Sequence, residues 1–178
     1  IRNPKQITNS KLQIPNKKHN PPNTKHQSLV EEVIIVTGDR DQLQLVNDKV
    51  KLYMPITGLS NAKMMGIVDV KEKMGVEPSQ IIDYKALVGD ASDNYFGVPG
   101  IGPKTAIGLL EKYKSLEGVY NKLDELKPAL KEKLINEKAN ADLSYKLATI
   151  VTDVPIEFNL DDAKGWKVDN NNVLNLFQ

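Results

Sequence analysis

The sequence predicts an α/β fold in which a small parallel sheet is followed by a helical region. A strand, a short helix and a second strand follow one another between Val33 and Pro55, the order expected of a parallel α/β layer. Beyond them, apolar residues recur with a helical period, and Pro78, Pro103 and Pro128 stand where helices begin. At 178 residues, the chain is long enough for one domain with a substantial core but not for two.

Residues 1–28 differ in composition from the rest of the chain. They hold six of the 24 basic residues and none of the 23 acidic ones, so the net charge of +1 hides a basic leader and an acidic body. Residues 1–32 are therefore predicted to be a disordered leader rich in Asn, Pro and Lys. It is interpreted as a solvated tail or as a nucleic-acid contact. No stretch approaches the roughly 18–20 apolar residues of a membrane span, so we expect no membrane contact.

The predicted sheet has two strands. Val33–Val36 is an all-apolar run, which is typical of a strand buried on both faces of a parallel sheet. Asp41 is predicted to cap a short helix that continues to Val46. Apolar and polar residues then alternate along a second strand that ends at Pro55.

From Pro55 to Val151 the chain is predicted to be helical. Pro78 begins a helix that Gly89 ends, and Pro103 begins another with apolar residues at the spacing of a buried stripe. Further elements are predicted as helices over residues 116–123, 128–136 and 142–150, and as a short strand over residues 156–158.

The composition excludes several kinds of chemistry. The chain has no Cys, so disulfides, thiolate zinc sites and a Cys nucleophile are absent. Its two His, His19 and His26, lie in the basic leader, which argues against a Ser–His–Asp triad in the folded part. Catalysis would therefore depend on carboxylates, lysines, hydroxyls and metals held by oxygen.

Two acidic motifs could hold such a metal. Residues 38–41 read GDRD after the first strand, where ligand sites of α/β sheets lie, so Asp39 and Asp41 could face a common cation. Equally, Asp39 could satisfy a turn while Asp41 caps the next helix. Residues 89–94 read GDASDN, in which Asp90 and Asp93 begin an oxygen-rich loop suited to Mg²⁺ or Mn²⁺. A loop of capping residues explains this second motif equally well.

A third motif, GVPGIGPKTA over residues 97–106, predicts a hairpin between two helices. It is not a P-loop, because Pro interrupts the Gly-Lys-Thr order, and it lacks the third glycine of a dinucleotide fingerprint. Ile101 would fill the core, while Gly100 and Gly102 let the backbone approach another molecule. Helix amides, Lys104 and Thr105 would then hold a phosphate without reading bases. An ordinary glycine-rich turn explains fewer of these features.

Together, in this order and separation, the three motifs resemble the 5′ nuclease family, to which the 5′→3′ exonuclease domains of bacterial polymerases and the flap endonucleases belong. The resemblance covers roughly residues 33–158. It implies a PIN-like parallel sheet followed by a helix–three-turn–helix (helix-hairpin-helix) region that binds duplex DNA. The implied domains are the C-terminal part of the α/β core over residues 33–94, the DNA-binding region over residues 95–160, and a C-terminal tail over residues 161–178.

The resemblance also implies the roles of particular residues. Members use two divalent ions, usually Mg²⁺, to hydrolyse phosphodiester bonds. The residues that match the metal-binding and catalytic acids are Asp39, Asp41, Asp90 and Asp93. Those that match the DNA-backbone contacts are Gly100, Gly102, Lys104 and Thr105. A K⁺ held by main-chain carbonyls near residues 98–101 is implied as well.

The chain departs from the family in two ways. The N-terminal half of the family domain, with its first strand, further acids and basic arch, has no counterpart in residues 1–28. A sheet without those strands is expected to expose an apolar edge. In addition, Tyr95 and Phe96 stand where the family commonly has an aliphatic residue and Pro, a change expected to affect packing more than chemistry.

The expected function is that of a truncated 5′→3′ exonuclease or flap endonuclease of the polymerase type, acting on duplex, nicked or 5′-flap DNA in replication and repair. We expect a cytoplasmic, bacterial-type monomer that binds DNA better than it cuts it, with a polymerase domain in the parent protein. The alternatives are a non-catalytic DNA-binding module and an unrelated metal-dependent phosphoesterase. Metal-dependent cleavage of a 5′-flap duplex separates the enzyme from the module.

Overall fold

The computed structural model describes residues 30–55, 61–161, 163–164 and 175–176. The leader predicted over residues 1–32 lies almost wholly outside the described residues. The strands are β1 (Val33–Val36), β2 (Val50–Pro55) and β3 (Ala62–Met65). The α-helices are α1 (Ile67–Met74), α2 (Ile81–Val88), α3 (Pro103–Tyr113), α4 (Leu116–Asn121), α5 (Pro128–Asn136) and α6 (Lys138–Ala148). Short 3₁₀-helices cover Arg40–Leu45, Pro78–Gln80 and Leu123–Glu125.

The sheet is mixed, with the strand order β1-β2-β3. β1 and β2 are parallel, as predicted, with Val33 opposite Val50. β2 and β3 are antiparallel, with Leu52 opposite Met65. β3 was predicted to be helical, which is wrong. Its sequence, AKMM, consists of residues that favour helices, so pairing with β2 overrides local propensity here.

β1 confirms the predicted position of the first strand but not its predicted burial. Val33, Ile34 and Val36 are 40%, 47% and 68% exposed, so this strand is not buried on both faces. It lies at the edge of the sheet, and among the described residues no strand pairs with its outer side. The expected exposed apolar edge is thus confirmed.

The helices that begin at a proline confirm the sequence pattern, although Pro78 first forms a turn of 3₁₀-helix before α2. α6 begins at residue 138 rather than 142 and is separated from α5 by Glu137 alone. The strand predicted over residues 156–158 is wrong, since this segment has no regular structure and exposes Ile156 and Phe158. No helix in the described part of the chain is long and apolar enough to span a membrane.

α2 lies at the centre of the molecule. It packs against α6, α3 and α4, and it contacts the 3₁₀-helix that follows β1. Ile81 and Leu87 of α2 are fully buried, as are Leu43, Leu52 and Leu110 from the elements around it. Because α2 contacts both the other helices and the 3₁₀-helix between β1 and β2, residues from these two parts of the fold meet at α2.

Candidate metal centre and nucleic-acid interface

Three carboxylates converge beside the C-terminal end of α2. Asp41 comes from the 3₁₀-helix after β1, and Asp90 and Asp93 come from the loop after α2. One oxygen from each lies within 4.8 Å of the others. We call these three residues the acidic cluster. The structure therefore brings together three of the four acids that the sequence singled out.

Asp39 is the exception. It is the N-cap of the 3₁₀-helix Arg40–Leu45, and its Oδ1 accepts a hydrogen bond of 2.9 Å from the Asp41 backbone N–H. The prediction that Asp41 caps this helix is wrong, because the cap lies two residues earlier. Capping directs the Asp39 side chain along the helix start, so Asp39 is not among the clustered carboxylates of the described residues.

A buried lysine compensates part of the negative charge of the acidic cluster. Lys85 of α2 is 6% exposed, and its Nζ contacts Asp41 and also lies 2.7 Å from Asp90 Oδ2. The hydrogen bond from Lys85, followed by the one from the Ser92 hydroxyl, lowers the pKa of Asp90 from 3.8 to about 2. Asp90 is therefore held as a carboxylate beside the Lys85 ammonium.

The loop that carries Asp90 and Asp93 is ordered by its own backbone. Asp90 and Tyr95 form an antiparallel bridge, with N–H to O distances of 2.9 and 3.1 Å. Asp90 Oδ1 also accepts the Ser92 N–H at 2.9 Å. Asn94 has φ +58°, in the left-handed region that Asn tolerates. These hydrogen bonds fix the backbone of the loop around Asp90.

The Asp41 turn is tied to the helical layer by Gln44. Gln44 Nε2 donates to the Ala148 carbonyl at 2.9 Å, and Gln44 Oε1 accepts the Ile150 N–H at 3.1 Å. These bonds join the 3₁₀-helix to the C-terminal end of α6. α6 also packs on α2, which precedes the loop of Asp90 and Asp93. Asp41 and this loop are therefore both held in place by the α2–α6 pair.

The residues present fit a divalent ion such as Mg²⁺ or Mn²⁺. All the donors in the acidic cluster are carboxylate oxygens, which hard divalent cations prefer. The contacts with Lys85 demonstrate that the cluster accommodates positive charge at this position. Asp41, Asp90 and Asp93 are the residues that would hold such an ion.

The predicted hairpin joins α2 to α3 and is docked on the end of α2. The Val98 N–H donates to the Leu87 carbonyl at 2.9 Å, and the Ile101 N–H donates to the Val98 carbonyl at 3.0 Å. Ile101 is 3% exposed, so the predicted insertion into the core is confirmed. Gly100 adopts φ +78°, a conformation that favours glycine.

The outer surface of the hairpin is open. Gly100, Gly102, Lys104 and Thr105 are all exposed. Gly102 is the N-cap of α3, and a Cβ added to it would meet no atom within 4 Å. The first amides of a helix carry the positive end of its dipole. The four residues predicted to contact a nucleic-acid backbone therefore lie together on one accessible surface.

Three residues that shape these sites were not singled out from the sequence. Lys85 lies four residues after Ile81, on the face predicted to be buried, and a cation there next to an acidic loop was a usable signal. Lys133 of α5 places its Nζ over Gly100, 2.5 Å from where a Cβ would stand. The buried Ser144 of α6 accepts the Gly97 N–H at 3.1 Å. Neither Lys133 nor Ser144 has a local sequence signal.

An α/β layer that meets a helical region at clustered carboxylates is the arrangement typical of the 5′ nuclease class. The chain belongs to the 5′-3′ exonuclease family, whose C-terminal SAM fold matches residues 76–171, more than half of the sequence. The family resemblance and the α/β fold class predicted from the motifs are thereby confirmed.

Relatives of this family are similar over most of the chain. DNA polymerase I of Lactococcus lactis is 47% identical over 141 residues, which is 78% of this chain and 16% of that protein. DNA polymerase I of Bacillus subtilis is 41% identical over 148 residues, 83% of this chain and 17% of that protein. Flap endonuclease Xni of Shewanella pealeana is 41% identical over 139 residues, 78% of this chain and 53% of that protein. The chain thus spans between about a sixth and a half of these relatives.

Solved structures show the same fold. T5 5′-exonuclease with divalent metal ions (zinc) bound has a TM-score of 0.58 and 23% identity, covering 69% of this chain and 45% of that chain. Bacteriophage T5 flap endonuclease, in a pseudo-enzyme–product complex with DNA and metal ions, has the same TM-score and identity, covering 69% of this chain and 44% of that chain.

Proposed function

We propose that this chain is the C-terminal part of a 5′ nuclease unit that binds the backbone of duplex, nicked or flapped DNA beside a divalent metal site. One observation carries the proposal: the acidic cluster and the hairpin are anchored to the same end of α2. Lys85 of α2 contacts the acidic cluster, and the Leu87 carbonyl, two residues later, receives the hairpin. α2 therefore sets the position of both the metal site and the backbone-binding hairpin.

The hairpin supplies the binding. Lys104 and Thr105 hold a phosphate together with the first amides of α3, and Gly100 and Gly102 let the strand approach the protein backbone. We further propose a K⁺ near residues 98–101, held by main-chain carbonyls of the hairpin. None of these contacts reads a base, so binding is expected to be independent of DNA sequence.

The acidic cluster supplies the metal site. Asp41, Asp90 and Asp93 hold Mg²⁺ or Mn²⁺, with two ions in the complete site. When bound, the metal activates water and stabilises the leaving oxygen in phosphodiester hydrolysis. Asp39 acts indirectly, because its cap on the Asp41 N–H fixes the turn that presents the Asp41 carboxylate. Lys85 keeps two of the carboxylates in place in the absence of metal.

We propose that this chain binds DNA better than it cuts it. Three clustered carboxylates give little negative charge with which to balance two divalent ions, and Lys85 already neutralises part of it. These observations favour a second candidate function, a non-catalytic DNA-binding module. In either case we propose a cytoplasmic monomer whose parent protein carries a polymerase domain. Within this chain, we propose that the α/β part covers residues 33–94, the DNA-binding part residues 95–160 and the tail residues 161–178.

Cleavage of a labelled 5′-flap duplex, with and without Mg²⁺, tests the two candidates. Metal-dependent cleavage that Asp90→Asn abolishes supports the nuclease. Binding without cleavage supports the module. Failure to bind the duplex contradicts both.

The hairpin is tested by Lys104→Ala, measured as DNA affinity over a range of salt concentrations. Lys104→Ala should weaken binding similarly for unrelated sequences and reduce the salt slope by at most about one, since one phosphate contact is lost. Lys73→Ala, an exposed lysine of α1, is the matched control and should leave the slope unchanged. A loss confined to particular sequences would contradict the phosphate-binding role.

A further inference from the structure

Gln44 joins the turn that carries Asp41 to the C-terminal end of α6. Its Nε2 donates hydrogen bonds to the Asp41 carbonyl at 2.8 Å and to the Ala148 carbonyl at 2.9 Å, and its Oε1 accepts the Ile150 N–H at 3.1 Å. An amide fits this set of partners, because a carboxylate could not donate to either carbonyl and an apolar side chain would make none of the three bonds.

The backbone of Asp41 is held from both sides by side chains. Asp39 Oδ1 accepts the Asp41 N–H at 2.9 Å, and Gln44 donates to the Asp41 carbonyl. The Asp39 bond is local, whereas Gln44 also bonds to residues that lie 104 and 106 positions further along the chain. Asp39 therefore fixes the shape of the turn, and Gln44 fixes where the turn lies relative to α6.

This placement matters for a metal because the ligands of the acidic cluster come from two separate segments. Asp41 belongs to the turn after β1, whereas Asp90 and Asp93 follow α2, which packs against α6. A divalent ion binds its oxygen ligands at about 2.0–2.6 Å, so the two segments must hold a defined separation. Groups that orient the ligands of a metal commonly change its affinity by about 10–100-fold.

We propose that Gln44 is a positioning residue of the metal site, which strengthens divalent-ion binding by holding the Asp41 turn on the end of α6. This inference rests on the proposed metal site at Asp41, Asp90 and Asp93. The effect is reciprocal: if the bonds of Gln44 strengthen metal binding, a bound metal strengthens those bonds by the same factor. The same coupling is therefore measurable in a variant and in wild type.

Gln44→Met tests the positioning role by calorimetric titration of the full chain with Mg²⁺. Methionine keeps the length of the side chain but makes none of the three hydrogen bonds, so Mg²⁺ binding should weaken by roughly 10-fold. Equal Mg²⁺ affinity of Gln44→Met and wild type overturns the role of Gln44 while leaving the metal site intact. Failure of wild type to bind Mg²⁺ overturns the metal site and, with it, this inference.

Gln80→Met is the matched control. Gln80 Nε2 donates to the Leu110 and Lys114 carbonyls at 3.2 and 2.7 Å, and its Oε1 accepts the Glu77 N–H at 3.2 Å. These three bonds also hold the end of a helix, but they reach neither segment of the acidic cluster. Both variants should unfold at lower denaturant than wild type in chelator, and only Gln44→Met should lose Mg²⁺ affinity. An equal loss of affinity in Gln80→Met overturns the positioning role, because the effect would then be one of general stability.

Hydrogen exchange tests the reciprocal effect in wild type. Mg²⁺ should slow exchange of the Ile150 amide, which bonds to Gln44, more than exchange of the Gly118 amide. The Gly118 amide is a suitable reference because it also bonds to a side-chain oxygen, Ser115 Oγ, at 3.0 Å. Equal slowing of the two amides by bound Mg²⁺ overturns the inference. This measurement needs no variant, so it decides the matter even where Gln44→Met does not fold.

Discussion

Replacing Lys85 by Met is the sharpest test of how the acidic cluster is held together without metal. Methionine keeps most of the length and apolar contacts of the side chain but removes the ammonium. Asp41 and Asp90 then lose a common partner in a place where their side chains are only 21% and 20% exposed. The free energy of unfolding in chelator should therefore fall.

The size of the loss follows from the geometry. Two carboxylates with oxygens within 4.8 Å repel each other by about 3 kcal/mol at the effective dielectric of partly buried groups. Removing one partner of a buried ion pair typically costs about 3–5 kcal/mol, and the remaining exposure of both acids places this case near the lower end. A loss of about 3 kcal/mol corresponds to roughly 6–12 °C in Tm for a chain of this size.

Urea unfolding followed by circular dichroism, in chelator and again with Mg²⁺, measures the effect. Mg²⁺ should restore stability to Lys85→Met more than it stabilises wild type, because the ion replaces the lost charge and no ammonium competes for the carboxylates. Lys71→Met is the matched control. Lys71 pairs with Glu77 at 2.6 Å but is 63% exposed, so its replacement should leave the free energy of unfolding almost unchanged.

Equal stability of Lys85→Met and wild type in chelator would refute the reasoning, since it would mean that the ammonium does not compensate the carboxylates. If Lys85→Met is much less stable than wild type and Mg²⁺ does not restore its stability, the proposed metal binding is refuted, whereas the role of Lys85 in compensating the carboxylates stands. In that case the acidic cluster would be a structural ion-pair network.

Three further predictions concern the elements around the site. Because the pKa of Asp90 is lowered in the folded state, this carboxylate contributes stability that is present above pH 3.8 and lost as the pH falls toward 2. Asp90→Asn cannot lose this contribution, so its free energy of unfolding should fall by about 1 kcal/mol less than that of wild type over the same pH range, measured by unfolding curves. Gly97→Ala should cost more than about 2 kcal/mol, because Gly97 has φ +61° and its Cβ would lie 2.4 Å from the Gly89 nitrogen. Gly108→Ala, in open space on α3, is its control and should be neutral or stabilising by up to about 1 kcal/mol in the same thermal melts. Ser144→Ala should cost about 1–3 kcal/mol and speed hydrogen exchange of the Gly97 amide, which loses its buried acceptor; unchanged exchange would contradict this.

Local signals were sufficient wherever a feature depends on its own segment. Val33–Val36 and Val50–Pro55 were predicted from apolar patterning, and α3 from the proline at its first position. The burial of Ile101 between two exposed glycines also followed from the hairpin motif. The backbone conformations concerned are restricted by residue type, so a short window of sequence contains most of the necessary information.

Features that depend on distant partners were not predictable in this way. β3 forms because β2 offers it an antiparallel partner, although its residues favour a helix. The exposure of β1 depends on which strands surround it, and the absence of a strand over residues 156–158 depends likewise on available partners. The exclusion of Asp39 from the acidic cluster was decided by a cap bond that competed with the cation role.

The sequence by itself determined the chemistry open to this protein: carboxylates and lysines without Cys, and a glycine-rich hairpin in the order typical of 5′ nucleases. Only the tertiary structure decided which of these groups meet. Asp41 and Asp90 are far apart along the chain, yet both contact Lys85. Charge interaction and desolvation depend on distances and burial in three dimensions, and these are set by how α2 packs against the other helices and the 3₁₀-helix Arg40–Leu45.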